Sequence, residues 1–226
     1  MTPGAISSAA IAAAGARPIQ PGRRPSSSRE VGSACTSERG ISALEVLLAL
    51  ATSVTMGAMA VVVAGSAIDE MRTATAARYV AGRIGLARID AVRRASAVAL
   101  RFEAVDGDYQ YAPYEDGNGN GVRTTEIRAG IDRSLGPFER LGDKFPGVRF
   151  ELAPGVPDAD GVVSAGADGV RIGSARLLTM SADGTATSGT LYVRGRKGQY
   201  AVRVLGVTGR TRMLQYSAGD RTWLSR

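Results

Sequence analysis

Three sets of residues in this chain have types and spacings that could do chemistry. Asp116-Gly117-Asn118-Gly119-Asn120-Gly121 opens like a calcium loop, with oxygen donors at alternate positions and a glycine for the sharp turn. Its twelfth position, where a closing carboxylate belongs, is Ile127, and Glu126 falls one place early. Arg194, Arg196 and Lys197 crowd one turn, while Arg210 and Arg212 stand two apart, so that both face one side of a strand. Two readings are open for these five cations: one phosphate-binding patch at the end of the head furthest from the membrane, making salt-sensitive and sequence-blind contacts to DNA, or a solvated strand face with routine ion pairs. Glu45 is the third feature, the one acid inside an otherwise apolar run beginning at Ile41.

Other chemistry is excluded by composition. The chain has no histidine, which removes imidazole acid–base catalysis and imidazole metal ligation. No serine has a histidine to activate it, and no phosphate-binding or dinucleotide fingerprint occurs. The expectation is a protein that is not an enzyme and needs no cofactor; at the Asp116 loop a calcium site and a plain turn of Asn and Gly are both open. Cys35 is the single cysteine, so no internal disulfide can form. Lys and Arg number 28 against 21 Asp and Glu, and the balance after Gly40 is 23 against 19. That mild excess permits anionic partners without requiring them.

The elements that must position these residues follow from periodicity. Residues 1–40 are rich in Ala, Ser, Pro, Gly and Arg without a sustained period, and read as a disordered basic leader. Residues 41–68 are apolar apart from Glu45 and a few hydroxyls. Val46–Ile68 is long enough to cross a bilayer at about 1.5 Å per residue, with Arg39 before it and Asp69 and Glu70 after it. That charge bias sets the N-terminus on the cytoplasmic side. Over residues 69–97 an amphipathic continuation is expected, because Ala77, Val80, Ile84, Ala87, Ala91 and Ala95 recur at steps of three and four. Residues 98–226 change period. Short strand-like segments at Val98–Val105, Asp108–Tyr114, Val148–Leu152, Ala175–Ser181, Thr190–Arg194, Gln199–Leu205 and Arg210–Tyr216 are separated by glycine turns. One long helix followed by many antiparallel strands is an α+β fold.

Gly40-Ile41-Ser42-Ala43-Leu44-Glu45-Val46 resembles the prepilin signal of type IV pilins and type II secretion pseudopilins. There a glycine ends a basic leader, an apolar residue starts the mature chain, and a glutamate stands fifth in it. Ile41 replaces the usual phenylalanine. Met180–Gly184, Ser188–Val193, Tyr200–Val204 and Thr208–Arg212 resemble the C-terminal part of the GspH/FimT group of minor pseudopilins. The resemblance implies a pilin fold: a long N-terminal helix, half transmembrane and half amphipathic, packed against a small antiparallel β-sandwich head. It implies cleavage between Gly40 and Ile41 by prepilin peptidase, methylation of the new amine, and assembly through Glu45 paired with the amine of a neighbouring subunit. Implied partners are other pilins or pseudopilins, the prepilin peptidase and an inner-membrane assembly platform. The implied location is the bacterial inner membrane, crossed once, with a periplasmic head and a place in the shaft or tip of a secretion pseudopilus or type IV pilus. Gly209-Arg210-Thr211-Arg212 resembles the element through which FimT-type pilins of competence pili take up DNA, which is the alternative function.

Overall fold

A computed structural model describes residues 40–163 and 168–225, without the side chains of residues 59–64. The expected leader and Cys35 lie outside the described residues. Two compact units are present, Met1–Val46 and Leu47–Arg226. The elements in chain order are α1 (Ala43–Arg94), β1 (Val98–Val105), β2 (Asp108–Glu115), α2 (Thr124–Ala129), β3 (Arg133–Ser134), β4 (Glu139–Arg140), α3 (Leu141–Lys144), β5 (Arg149–Phe150), β6 (Val170–Arg171), β7 (Leu177–Met180), β8 (Gly189–Arg194), β9 (Gln199–Leu205), β10 (Arg210–Ser217) and β11 (Thr222–Ser225).

The described strands form two antiparallel sheets. Sheet A runs β3-β2-β1-β7, with β4 also on β2; sheet B runs β11-β10-β9-β8-β5, with β6 also on β8. Alternation sorts the strand residues by face. In β9, Tyr200, Val202 and Val204 enter the main core, whereas Ala201 lies in a smaller cluster on the other face with Tyr192, Leu152 and Leu214. The main core joins both sheets to one stripe of α1, made of Ala77, Val80, Ile84, Ala87 and Ala91.

The expected fold class needs correction. The chain is α+β with antiparallel sheets, but among the described residues no helix is long and apolar enough to cross a membrane. Backbone helix is continuous over the 52 residues of α1. Thr52, Ser53 and Thr55 are accommodated within it, each donating its hydroxyl to a carbonyl three or four residues back. Part of the span expected to be transmembrane, at 59–64, has side chains outside the description.

The helix also stops earlier than its period suggests. It ends at Arg94 because Ala95 takes a left-handed conformation at φ 49°. Ser96 N–H then donates to Ala91 C=O and Ala95 N–H to Val92 C=O, the two bonds of a Schellman cap. Ala95 is therefore exposed instead of continuing the buried stripe. β3, β4, β6, β11 and the short helices α2 and α3 were not expected from the sequence. They are too short for a period to register.

Two glycine contacts dock sheet B onto α1. A Cβ on Gly195, in the β8–β9 turn, would lie 1.9 Å from Thr73 Oγ1. At the opposite end of β9, a Cβ on Gly209 would lie 2.9 Å from Arg88 Nε and 2.4 Å from Gly184 C=O. Arg88 Nε donates to that same carbonyl at 3.2 Å. Sheet A is fastened to the helix by a polar cluster. Tyr79 donates to Glu139 Oε2 at 2.6 Å, Tyr111 donates to the same oxygen at 3.3 Å, and Arg83 pairs with Oε1 at 3.3 Å. Burial opposes ionisation of Glu139, but the Tyr79 hydrogen bond and the Arg83 and Lys144 charges outweigh it and hold its carboxyl below the usual range. Burial raises the Tyr111 hydroxyl, and the neighbouring Glu139 charge raises it further.

Candidate functional site

The start of α1 is built by Ser42. Its hydroxyl accepts from Leu44 N–H at 3.2 Å, and its carbonyl accepts from Val46 N–H at 3.1 Å. Ser42 is thus the N-cap and Glu45 stands at the third helical position, the Ser-x-x-Glu spacing of a capping box. A carboxylate there is favoured by the helix dipole. Glu45 has no ion pair or side-chain hydrogen bond among the described residues. Around it Ile41, Leu44, Leu47, Leu48 and Leu50 are 62–76% exposed, a density of bare aliphatic surface that water does not favour. Gly40 is open: a Cβ there would meet nothing within 4 Å. Among the described residues, nothing in the packing requires glycine at that position.

The five expected cations do not form one patch. Arg194, Arg196 and Lys197 lie at the β8–β9 turn, where Gly195 meets Thr73. Arg210 and Arg212 begin β10, opposite Leu205 and Arg203. The length of β9 separates the two groups, about 20 Å at roughly 3.3 Å per residue. Arg194 is also committed to Glu151, which Arg149 contacts as well. Arg196, Arg210 and Arg212 have no ion pair among the described residues.

Strand register produces a different row. Arg171 stands opposite Thr190, Thr190 opposite Arg203, and Arg203 opposite Arg212. Directly opposed residues share a face, here the outer face of sheet B, with Tyr192 and Ala201. Asp158 and Asp160, from one loop, reach this face: Asp158 Oδ2 pairs with Arg171 at 2.6 Å and Asp160 Oδ1 with Arg203 at 2.7 Å. Burial works against the Asp158 charge, yet the Val162 and Asp160 N–H groups and Arg171 keep its carboxyl below the usual range. Beside the row is a cleft of about 610 Å³, lined among others by Ser188, Thr190, Tyr192 and Val207. Sequence reasoning missed Arg171 and Arg203. Alternation in β9 points Arg203 outward, but which residues stand opposite it is set by pairing that one sequence does not disclose.

The Asp116 loop is satisfied by its own backbone. Asp116 Oδ1 accepts from Asn118 and Gly119 N–H, and Oδ2 accepts from Gly121 N–H at 2.6 Å. Asn118 Oδ1 accepts from Asn120 N–H, and Asn120 Nδ2 donates to Glu126. Asp132 completes the knot by accepting from Gly117 and Arg123 N–H. Burial again opposes the Asp116 charge and the backbone donors prevail, lowering its pKa. The oxygens expected to face calcium therefore face N–H groups. Among the described residues no set of three or more acidic, cysteine or histidine side chains could hold a metal ion. In this arrangement the loop is an Asx-type turn, the plain-turn alternative to a calcium site.

A third polar cluster has a structural geometry. Tyr109 donates to Asp168 at 2.7 Å, and Arg176 pairs with Asp168 at 3.1 Å while lying over the Tyr109 ring at 4.9 Å. Burial, and then the bond to Asp168, push the Tyr109 hydroxyl up to about 12. No protein family, no curated protein and no solved structure matches this chain.

Proposed function

We propose that this chain is a minor subunit of a pilin-type filament, clipped between Gly40 and Ile41 and assembled by packing the exposed apolar start of α1 against other subunits. The observation that carries the reading is the bare aliphatic stretch from Ile41 to Met56, with its single acid Glu45. Other subunits' helices are the partner that would cover such a surface along its length. The open surroundings of Gly40 support the same reading, since a peptidase that accepts only the smallest residue supplies a reason for glycine that packing does not. On this reading the Glu45 carboxylate is neutralised on assembly by the amine of a neighbouring Ile41, and the protein works in the cell envelope, at an inner-membrane assembly platform. The mass of the protein isolated from cells with an active prepilin peptidase tests it. The expected N-terminus is a methylated Ile41. An N-terminus upstream of Ile41 would overturn the processing. Glu45→Ala is expected to lower incorporation into cross-linked filaments, and equal incorporation would remove the charge pairing.

A second reading, DNA binding by the head, is favoured by one observation: Arg210 and Arg212 are exposed side by side on β10 with no carboxylate against them among the described residues. Arg210→Gln with Arg212→Gln is expected to weaken duplex binding and flatten its salt dependence. Unchanged affinity and slope would end this reading.

A further inference from the structure

Sheet B carries an electrostatic arrangement that works against the fold that contains it. Arg203 and Arg212 are directly opposed on neighbouring strands, and like charges so placed are destabilising. Arg210 adds a third cation on the same face by alternation, and Arg171 stands in the same cross-strand row beyond Thr190. A row of guanidinium groups on one exposed face calls for anions between them. Among the described residues two are supplied, and they are unequal. Asp158 is fixed: its side chain is 12% exposed and it also accepts from Asp160 and Val162 N–H. Asp160 is 62% exposed and has one side-chain partner, Arg203. An exposed ion pair of this kind is weak and is readily exchanged for a better anion.

We propose that Arg203, Arg210 and Arg212 form a phosphate-binding row for the backbone of a nucleic acid, and that Asp160 is a built-in competitor that holds Arg203 until a phosphate displaces it, while Arg171 stays with Asp158. The inference rests on the DNA reading of β10 and extends it to one further arginine and a carboxylate. Guanidinium forks suit phosphate oxygens in pairs. Arg203 and Arg212 stand at strand spacing, about 5 Å apart, and Arg210 follows two residues along β10. Ser188 beside the cleft adds a hydroxyl. The turn cations Arg196 and Lys197, at the other end of β9, have no part in this site.

The test uses the full chain in detergent and a labelled duplex oligonucleotide, with anisotropy read at several salt concentrations. Arg203→Gln should weaken binding roughly fivefold near 0.15 M salt and lower the log–log salt slope by about 0.9, the effect of one phosphate contact. Asp160→Asn should tighten binding. Arg196→Gln with Lys197→Gln should leave it unchanged. If Arg210→Gln with Arg212→Gln weakens binding while Arg203→Gln does not, the DNA reading stands and the row is wrong. Loss of binding in the Arg196/Lys197 variant also overturns the row. No effect of Asp160→Asn overturns the competitor, and since Asp160 is exposed that variant decides the matter even if Arg203→Gln folds poorly. A wild-type chain without salt-dependent duplex binding overturns reading and row together. Binding to anionic phospholipid vesicles but not to duplex assigns the phosphate to lipid and overturns the nucleic acid.

Discussion

Two stretches of α1 have similar residue types and opposite surroundings. Between Ala77 and Ala91 the helix puts Ala77, Val80, Ile84, Ala87 and Ala91 at no more than 4% exposure. Between Leu44 and Val54 the comparably apolar Leu44, Leu47, Leu48, Leu50 and Val54 remain 62–76% exposed. In the first stretch the strands of the same chain supply the cover, through Val202, Val204, Leu178 and Met180. In the second, no part of the described chain does. Apolar character states that a surface must be covered; it does not state by what. The proposal that this chain works in a filament assigns the missing cover to other copies of the same kind of helix.

That contrast can be broken by mutation. Ile84→Ala, in the covered stretch, should destabilise the head by about 2–5 kcal/mol, read as a fall in its unfolding midpoint. Leu48→Ala should leave that midpoint unchanged and lower filament incorporation instead. A drop in head stability from Leu48→Ala would erase the distinction. Next in size is Gly195→Ala, whose Cβ collides with Thr73 Oγ1. Overpacking of this kind costs roughly 1–3 kcal/mol. Thr73→Ala should recover part of it, and a strictly additive double-mutant cycle would refute the contact.

Acid should act on the covered stretch first. Glu139 has a folded pKa below its ordinary 4.5, so the unfolded chain binds more protons in that window. Its contribution to stability is therefore full above about pH 4.5 and is lost as pH falls through the lowered value. The head's melting temperature should fall more steeply with acid in the wild type than in Glu139→Gln, and parallel curves would contradict the linkage. The smallest expected effect concerns the Asp116 loop. Calcium or a chelator should not move the melting temperature, because backbone N–H groups hold the carboxylate. A stabilisation by calcium above about 1 kcal/mol, that of a site filled several-fold over its Kd, would establish a metal site.

Much of the head was legible from period alone. The strands at Val98–Val105 and Gln199–Leu205 stand where alternation puts them, and Ala77 to Ala91 is the buried stripe that steps of three and four indicate. The end of α1 was not legible, since nothing in an alanine announces the left-handed turn at Ala95. Apolar composition between Val46 and Ile68 points to a membrane span, but no helix among the described residues is long and apolar enough to cross a membrane. The basic patch failed for a reason of distance. Arg194 and Arg210 are sixteen positions apart in sequence, but one hairpin strand runs between them and carries them to opposite ends of sheet B. The row that does form joins Arg171 to Arg212 through pairings of β6, β8, β9 and β10, which alternation within any single strand cannot reveal. The N-cap at Ser42 is a local feature the sequence reading passed over: its hydroxyl accepts from Leu44 N–H, while the Glu45 side chain makes no hydrogen bond among the described residues.

The central claim is that the uncovered start of α1 is an interface between filament subunits. A photo-cross-linking residue placed at Leu48, with a second variant carrying it at Val80, tests this most directly in cells. The account predicts that the Leu48 probe forms adducts whose peptides come from the N-terminal helix of another filament subunit, whereas the Val80 probe reacts only within its own chain. Adducts at Leu48 with the chain's own head, or with no filament subunit at all, would contradict it.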